Sequence, residues 1–500
     1  MNLNAVRYVL GTLLLVIACS MVPALSCSLY FGEHDINDFL YSIASTVSAG
    51  LLLRAKARLS KDLGLREGFL IVTFGWLLAG VFGALPFVFS GAVDTFVDGF
   101  FEAVSGFTTT GATVIDNVEA LPHGLLFWRS FTHWLGGMGI IVLFLALLPG
   151  IGAGGFQMFR AEVPGPSASK LSSKVTHTAK ILWYIYLGLT VLQTILLVLS
   201  GLSLFEALTH TFGTVATGGF STKALSVGAF KNPAAEIIIL IFMALSGVNF
   251  SLYYYLLKRQ WDKVYNDEEL KFYFGVIIAA TLLIAWNIRG LVPAKDLLRT
   301  SAFQVVSIIT TTGYATANFD AWPTFSKMIL LLLMFFGGCA GSTGGAMKQI
   351  RMLILSKYCS RELVHTLHPK AVVQIKVNGK TVPDDVLRKI LAFCLVYIGL
   401  FVFGSLFLAM LGQDMITSVS AVAATLGNIG PGLGRVGPEL TFSQIPQIGK
   451  VVLSILMLMG RLEIFTVILC FIPSFWQDAR IFRGESKPSR KIIFNGSSHA

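Results

Sequence analysis

The sequence predicts an all-α polytopic membrane protein, with four helix–pore-loop–helix repeats around a pseudo-tetrameric pore and an N-terminal helix pair ahead of them. Three observations predict it. Of the 500 residues, 54% are hydrophobic and only 13% charged, against about 25% charged in soluble domains. Apolar stretches recur from end to end, and about 20 such residues cross a hydrocarbon core roughly 30 Å thick; mean hydropathy is +0.73. A pattern of long apolar helix, short amphipathic segment, Gly/Thr-rich turn and second apolar helix recurs four times.

The first element covers residues 6–30. It has no small-residue cleavage site and is too long for a signal-peptide core, so it is expected to remain as a helix. Its partner covers residues 38–55, and the pair occupies residues 1–60. Repeat one (61–160) carries the turn Thr108-Thr109-Thr110-Gly111-Ala112-Thr113. Repeat two (161–262) carries Ala216-Thr217-Gly218-Gly219-Phe220-Ser221-Thr222. Repeat three (263–370) has Thr310-Thr311-Thr312-Gly313-Tyr314-Ala315-Thr316, and repeat four (371–480) has Gly427-Asn428-Ile429-Gly430-Pro431-Gly432. Residues 481–500 form a basic tail. The key glycines are spaced 108, 94 and 117 positions apart. Six positions before each stands a small residue (Ser105, Gly213, Ser307, Ala424), and two positions before stands Thr109, Thr217, Thr311 or Asn428.

The segments before the turns, residues 96–107, 204–215, 302–309 and 416–426, are too short to span, at roughly 12 to 18 Å of helix. Half-length pieces are tolerated in a bilayer only when buried in protein or lining a water-filled cavity. The polar turns that follow must therefore face an aqueous path. Taking a small cation out of water costs on the order of 20 kcal/mol by the Born estimate, so a path for it must replace the hydration shell. Rings of backbone carbonyls can do so, and glycine lets successive carbonyls point inward. Four helices aimed into the membrane add the negative ends of their dipoles. An anion site would precede a helix rather than follow one.

The net charge of +11 does not indicate nucleic acid. Of 38 Lys and Arg, 27 fall in five segments, residues 54–66, 160–180, 258–271, 348–389 and 480–491. That alternation matches the positive-inside rule with those segments and both termini cytoplasmic. The six cysteines lack metal-ligand spacing and read as small buried residues.

The four turns resemble those of the Trk/Ktr/HKT superfamily of potassium transporters, most closely the bacterial TrkH-type subunit. The same holds for Gly136-Gly137-Met138-Gly139-Ile140-Ile141, Arg160-Ala161-Glu162-Val163-Pro164-Gly165-Pro166, the glycine-rich run from Gly337 to Gly345, and Gly460-Arg461-Leu462-Glu463. The resemblance implies K+ as the transported ion, with a filter at Thr110, Gly111, Gly218, Gly219, Thr312, Gly313, Ile429 and Gly430. In that family, glycine at all four key positions accompanies potassium preference, and serine in the first repeat accompanies sodium permeation. It further implies a homodimer in the lipid of the bacterial inner membrane, with a cytoplasmic TrkA-type NAD/ATP-binding regulatory ring beneath. The fourth turn departs most, with Asn428 in place of threonine.

Two further features stand out. A long helix over residues 328–356 is interrupted by five glycines with Ser342 and Thr343, at about 1 kcal/mol per glycine. The resemblance makes this stretch (Gly341, Ser342, Thr343, Gly344) an intramembrane gate; the alternative is a glycine kink for helix packing. Arg461 falls inside an apolar helix, where an arginine usually faces a cavity or a partner. In the family it stands beneath the filter as a barrier to the ion, and the alternative is a structural ion pair. A symporter coupled to H+ or Na+ is the rival to a channel-like path, although acidic residues are nearly absent from the helix centres. An enzyme would need a catalytic cluster that the sequence lacks.

Overall fold

The structure is a computed structural model that describes residues 1–57, 64–139 and 175–476. The run 160–166, residues Ile140 and Ile141, and the basic tail lie outside the described residues. Among those described, the regular secondary structure is helical apart from one two-stranded hairpin, Lys376–Val377 with Lys380–Thr381.

The N-terminal pair is a span at Leu3–Phe31 and a second helix at Ile36–Arg54. Each repeat then opens on a long outer helix: Leu65–Gly83, Val175–Leu199, Glu268–Ile288 and Asp384–Met410. The short helices that follow run Phe96–Phe107, Leu204–Val215, Ala294–Ile309 and Met415–Leu426. Three have a polar cap: Thr95 accepts from the Asp98 amide, Ser203 from Glu206 and Asp414 from Thr417. Such caps satisfy amides that a helix start leaves open. The third begins eight residues earlier than the sequence suggested. It starts directly after Pro293, and its first turns are held by Arg299, which pairs with Glu236 at 2.8 Å and with Asp296 at 2.9 Å.

After each Gly/Thr turn comes a single turn of 3-10 helix, at Val118–Ala120, Ser226–Phe230, Phe319–Ala321 and Gly434–Val436. The inner helix then starts at a proline: Pro122, Pro233, Pro323 and Pro446 stand at the cap or first position. There a missing N–H costs nothing.

The inner helices differ most from expectation. The sequence predicts one interruption, in repeat three. The structure has Thr324–Leu333 and Gln349–Leu367 separated by an irregular loop, and bends in two other repeats. Pro233–Ser246 turns by 94° into Phe250–Leu257, and Gln447–Arg461 by 119° into Phe465–Phe471. Six described helices are long and apolar enough to cross a membrane, and the bent pairs raise the number to eight. One apolar core joins the N-terminal pair to repeats one and four, and a second joins repeats two and three with part of four.

Candidate functional site

All four short helices end in the same way. The small residue six positions before each key glycine offers its carbonyl to the amide immediately before that glycine. Thr110 donates to Ser105 at 2.8 Å, Gly218 to Gly213 at 2.7 Å, Thr312 to Ser307 at 2.9 Å and Ile429 to Ala424 at 2.7 Å. One residue earlier, Thr109, Thr217, Thr311 and Asn428 donate to Gly106, Thr214, Ile308 and Thr425 at 3.0–3.1 Å. This pairing is a Schellman stop, which needs one residue in the left-handed region. That residue is Thr109 (φ 54°), Thr217 (57°), Thr311 (60°) or Asn428 (54°). Non-glycine residues there cost on the order of 1–2 kcal/mol each, and such strain is held where function requires the geometry. The fourth repeat keeps the conformation despite its altered sequence. Asn428 also donates to Thr110 Oγ1 at 3.0 Å, joining repeat four to repeat one.

The key glycines are left-handed too, with φ of 81° at Gly111, Gly219 and Gly313 and 100° at Gly430. Each faces the backbone of the next repeat. A Cβ on Gly111 would meet the Gly218 carbonyl oxygen, one on Gly219 that of Thr312, one on Gly313 that of Ile429, and one on Gly430 that of Thr110. All four approaches fall under 3.0 Å, closer than real Cβ atoms come. The contacts close a cycle through the four repeats, and every residue in it was singled out from the sequence. The four glycines line one cavity together with the charged residues Asp116, Arg129, Lys223 and Glu439.

Directly on the other side of the ring sits the glycine-rich loop. The Gly345 amide donates to Thr311 Oγ1 at 2.7 Å, and Thr217 Oγ1 donates to Thr343 Oγ1 at 3.2 Å. Thr343 Oγ1 also lies 3.2 Å from the Val215 carbonyl and 3.3 Å from that of Ser246. The loop is pinned into the bend of repeat two, with Cys339 donating to the Gly247 carbonyl at 2.8 Å and Phe250 to that of Gly341 at 3.1 Å. Glu269 Oε1 accepts the amides of Ala340 at 2.7 Å and Ile350 at 2.9 Å, so one carboxylate holds both flanks. Beside it Glu268 pairs with Lys357 and accepts the Asn378 amide at 2.8 Å, tying the basic hairpin to the same corner.

Arg461 is not within a continuous helix, as its neighbours suggested. It is the last residue of Gln447–Arg461, and Glu463 and Ile464 that follow have φ of 61° and 47°. Its guanidinium donates to the Thr343 carbonyl at 2.5 Å and to those of Gly136 and Gly137 at 2.6 and 2.7 Å. It therefore clamps the loop to repeat one through backbone carbonyls of both. Glu463 pairs with Arg351. Of the residues expected to form the gate, Thr343 and Gly344 lie against the ring, the Gly341 carbonyl accepts the Phe250 amide in the repeat-two bend, and the Ser342 amide donates within the loop to the Cys339 carbonyl. Sequence reasoning missed Lys348, which is buried and donates to the Gly344 carbonyl; its signal was a lysine within four residues of the glycine run. Among the described residues no group of three or more His, Cys, Asp or Glu could hold a metal ion.

A polytopic helical membrane protein whose four repeats bring one glycine each to a central ring, with a loop packed beneath it, has the architecture of a cation transport protein. The sequence matches the TrkH family of cation transport proteins over residues 35–294 and 290–479, and the chain belongs to that family. It is similar to the Trk system potassium uptake protein TrkH of Halomonas elongata, at 39% identity over 95% of this chain and all of that one. The Escherichia coli K12 protein of the same name is 39% identical over 96% of this chain and all of its own. The crystal structure of the potassium transporter TrkH from Vibrio parahaemolyticus superposes with a TM-score of 0.86, at 37% identity, over 95% of this chain and all of that chain.

Proposed function

We propose that the chain carries K+ into the cell through a channel-like path, with the glycine ring as its selectivity filter. The carrying observation is the closed cycle in which four left-handed glycines each abut the carbonyl of the next repeat. The oxygens of Thr110, Gly218, Thr312 and Ile429 are then the ligands that replace water around the ion, with Gly111, Gly219, Gly313 and Gly430 supplying the close approach. The relatives named as potassium uptake proteins support K+ as the cargo. They are named as transporters, in keeping with a protein that is not an enzyme.

The protein works in the bacterial inner membrane as a homodimer, with both termini cytoplasmic. A nucleotide-binding ring of the TrkA type docks on the basic segments 160–180 and 348–389, the first of which lies largely outside the described residues. The hairpin at Lys376–Thr381, tied through Glu268 to the corner where Glu269 holds the loop, gives that partner a route to the gate.

Two measurements test this reading. In proteoliposomes carrying a K+ gradient, the reversal potential is expected to follow K+ and to stay unchanged when a proton gradient is added; a shift with the proton gradient replaces the channel by a symporter. Deleting Gly341, Ser342, Thr343 and Gly344 is expected to raise K+ flux without the regulatory ring by about tenfold, since the loop is held by several buried hydrogen bonds of about 1 kcal/mol each. Unchanged flux in a folded deletion variant leaves the loop a packing element.

A further inference from the structure

The ring glycines cannot hold their own positions, because the chain leaving each of them has no regular secondary structure for several residues. In the first three repeats it is held by a side chain nine positions before the glycine, on the pore helix. Glu102 is fully buried; its carboxylate accepts from Thr113 Oγ1 at 3.0 Å and from the Val114 amide at 3.0 Å. His210 is also fully buried: Nδ1 bonds the Glu206 carbonyl at 2.8 Å, so Nε2 accepts from Ser221 Oγ at 2.9 Å. Gln304, with its amide oriented to satisfy its neighbours, accepts from the Thr316 amide at 2.9 Å and the Ala317 amide at 3.3 Å. Repeat four has Ala421 at that position and uses the preceding residue instead. Ser420 Oγ accepts from the Leu433 amide at 2.9 Å and donates to the Leu433 carbonyl at 3.0 Å.

The residues held lie two to four positions beyond the glycine in every repeat, although Glu, His, Gln and Ser share no chemistry except an acceptor of the right reach. Four solutions to one placement within one chain indicate that the placement matters. Repeat one adds a cross-link: Arg129 donates to Glu102 at 2.6 Å and to the Ser221 carbonyl of repeat two at 3.0 Å, with its guanidinium 3.9 Å from the Phe220 ring centre. One turn on, His133 accepts the Phe220 amide at 3.2 Å.

We propose that Glu102, His210, Gln304 and Ser420 are positioning residues for the filter, fixing the outer chain of each repeat to its pore helix and so setting the width of the glycine ring that separates K+ from Na+. The proposal rests on the filter reading above, and the test keeps the two apart. Gln304→Met and His210→Leu remove the acceptor without stranding a charge, and His210→Gln returns one at similar reach. K+ and Na+ fluxes are measured in proteoliposomes on protein that elutes as a single species in detergent, with Gly313→Ser as the filter control.

The K+/Na+ ratio is expected to fall about fivefold in Gln304→Met and His210→Leu, the worth of one buried hydrogen bond, and to recover in His210→Gln. An unchanged ratio in both, beside a lowered one in Gly313→Ser, overturns the positioning role and leaves the filter standing. An unchanged ratio in Gly313→Ser overturns the filter and this proposal with it. Should the larger substitutions give no folded protein, Ser420→Ala, which deletes one oxygen, decides by the same ratio.

Discussion

Serine in place of Gly111 or Gly313 is expected to lower K+ over Na+ discrimination about tenfold in protein that still folds and inserts, from a strain of 1–2 kcal/mol at each site. Both glycines have φ of 81°, which a serine adopts only with strain. The new Cβ would also press on the carbonyl oxygen of Gly218 or Ile429, each part of a backbone that cannot swing aside like a side chain. The ring has to widen or tilt, and the displaced oxygen is itself a proposed ligand in the next repeat. A wider cage gives up the advantage of K+ because selectivity depends on how many carbonyl dipoles reach the ion and how closely. The measurement is the ratio of K+ to Na+ flux in proteoliposomes, with total flux recorded to separate loss of selectivity from loss of conduction. A ratio unchanged in folded Gly111→Ser removes the ring from the selectivity mechanism.

The parts of this site that could be read in the sequence were those written as local punctuation. The short helices at Phe96–Phe107 and Leu204–Val215 stand where expected, because Thr95 and Ser203 open them and a Gly/Thr turn closes them. The small residues six positions before the glycines were visible as a repeat, and the structure supplies the reason: each carbonyl there takes the bond that ends the helix. Asn428 looked like a departure. It is instead one of the few side chains besides glycine that visit the left-handed region, and it also reaches Thr110.

The breaks in the inner helices were hidden because their causes are long-range. The 94° bend after Ser246 coincides with backbone bonds from Cys339 to Gly247 and from Phe250 to Gly341, nearly 100 positions away in sequence. No periodicity in residues 233–257 could announce a partner so distant. The braces at Glu102, His210 and Gln304 were hidden for another reason. They share a position and a task, but they differ in residue type, and pattern reading looks for likeness of type.

Arg461→Ala is expected to raise K+ flux at least tenfold per folded molecule, and two physical effects contribute. A fixed positive charge repels K+ by about 2 kcal/mol at about 8 Å in an effective dielectric of 20, which is more than a tenfold change in local occupancy. The guanidinium also joins Thr343 of the loop to Gly136 and Gly137 of repeat one, so its loss frees the loop from that side. Arg461→Lys separates the two. Lysine keeps the charge, but its single nitrogen cannot span the two carbonyl sets that the planar fork reaches from different atoms. If charge dominates, Arg461→Lys conducts like the parent; with the clamp contributing, its flux lies between the parent and Arg461→Ala, which is the result expected here.

A combined variant gives the second check. If Arg461 acts through the loop, adding Arg461→Ala to the deletion of Gly341, Ser342, Thr343 and Gly344 raises flux no further than the deletion alone. If it acts by charge on the ion path, the two effects multiply, as independent sites do. Yield of monodisperse protein is measured in the same preparations, since Arg461→Ala leaves the buried carbonyls of Thr343, Gly136 and Gly137 without this donor, at about 1–3 kcal/mol for each left unsatisfied. Reduced yield without any gain in flux per folded molecule would make Arg461 a packing residue and leave the pore without its positive barrier.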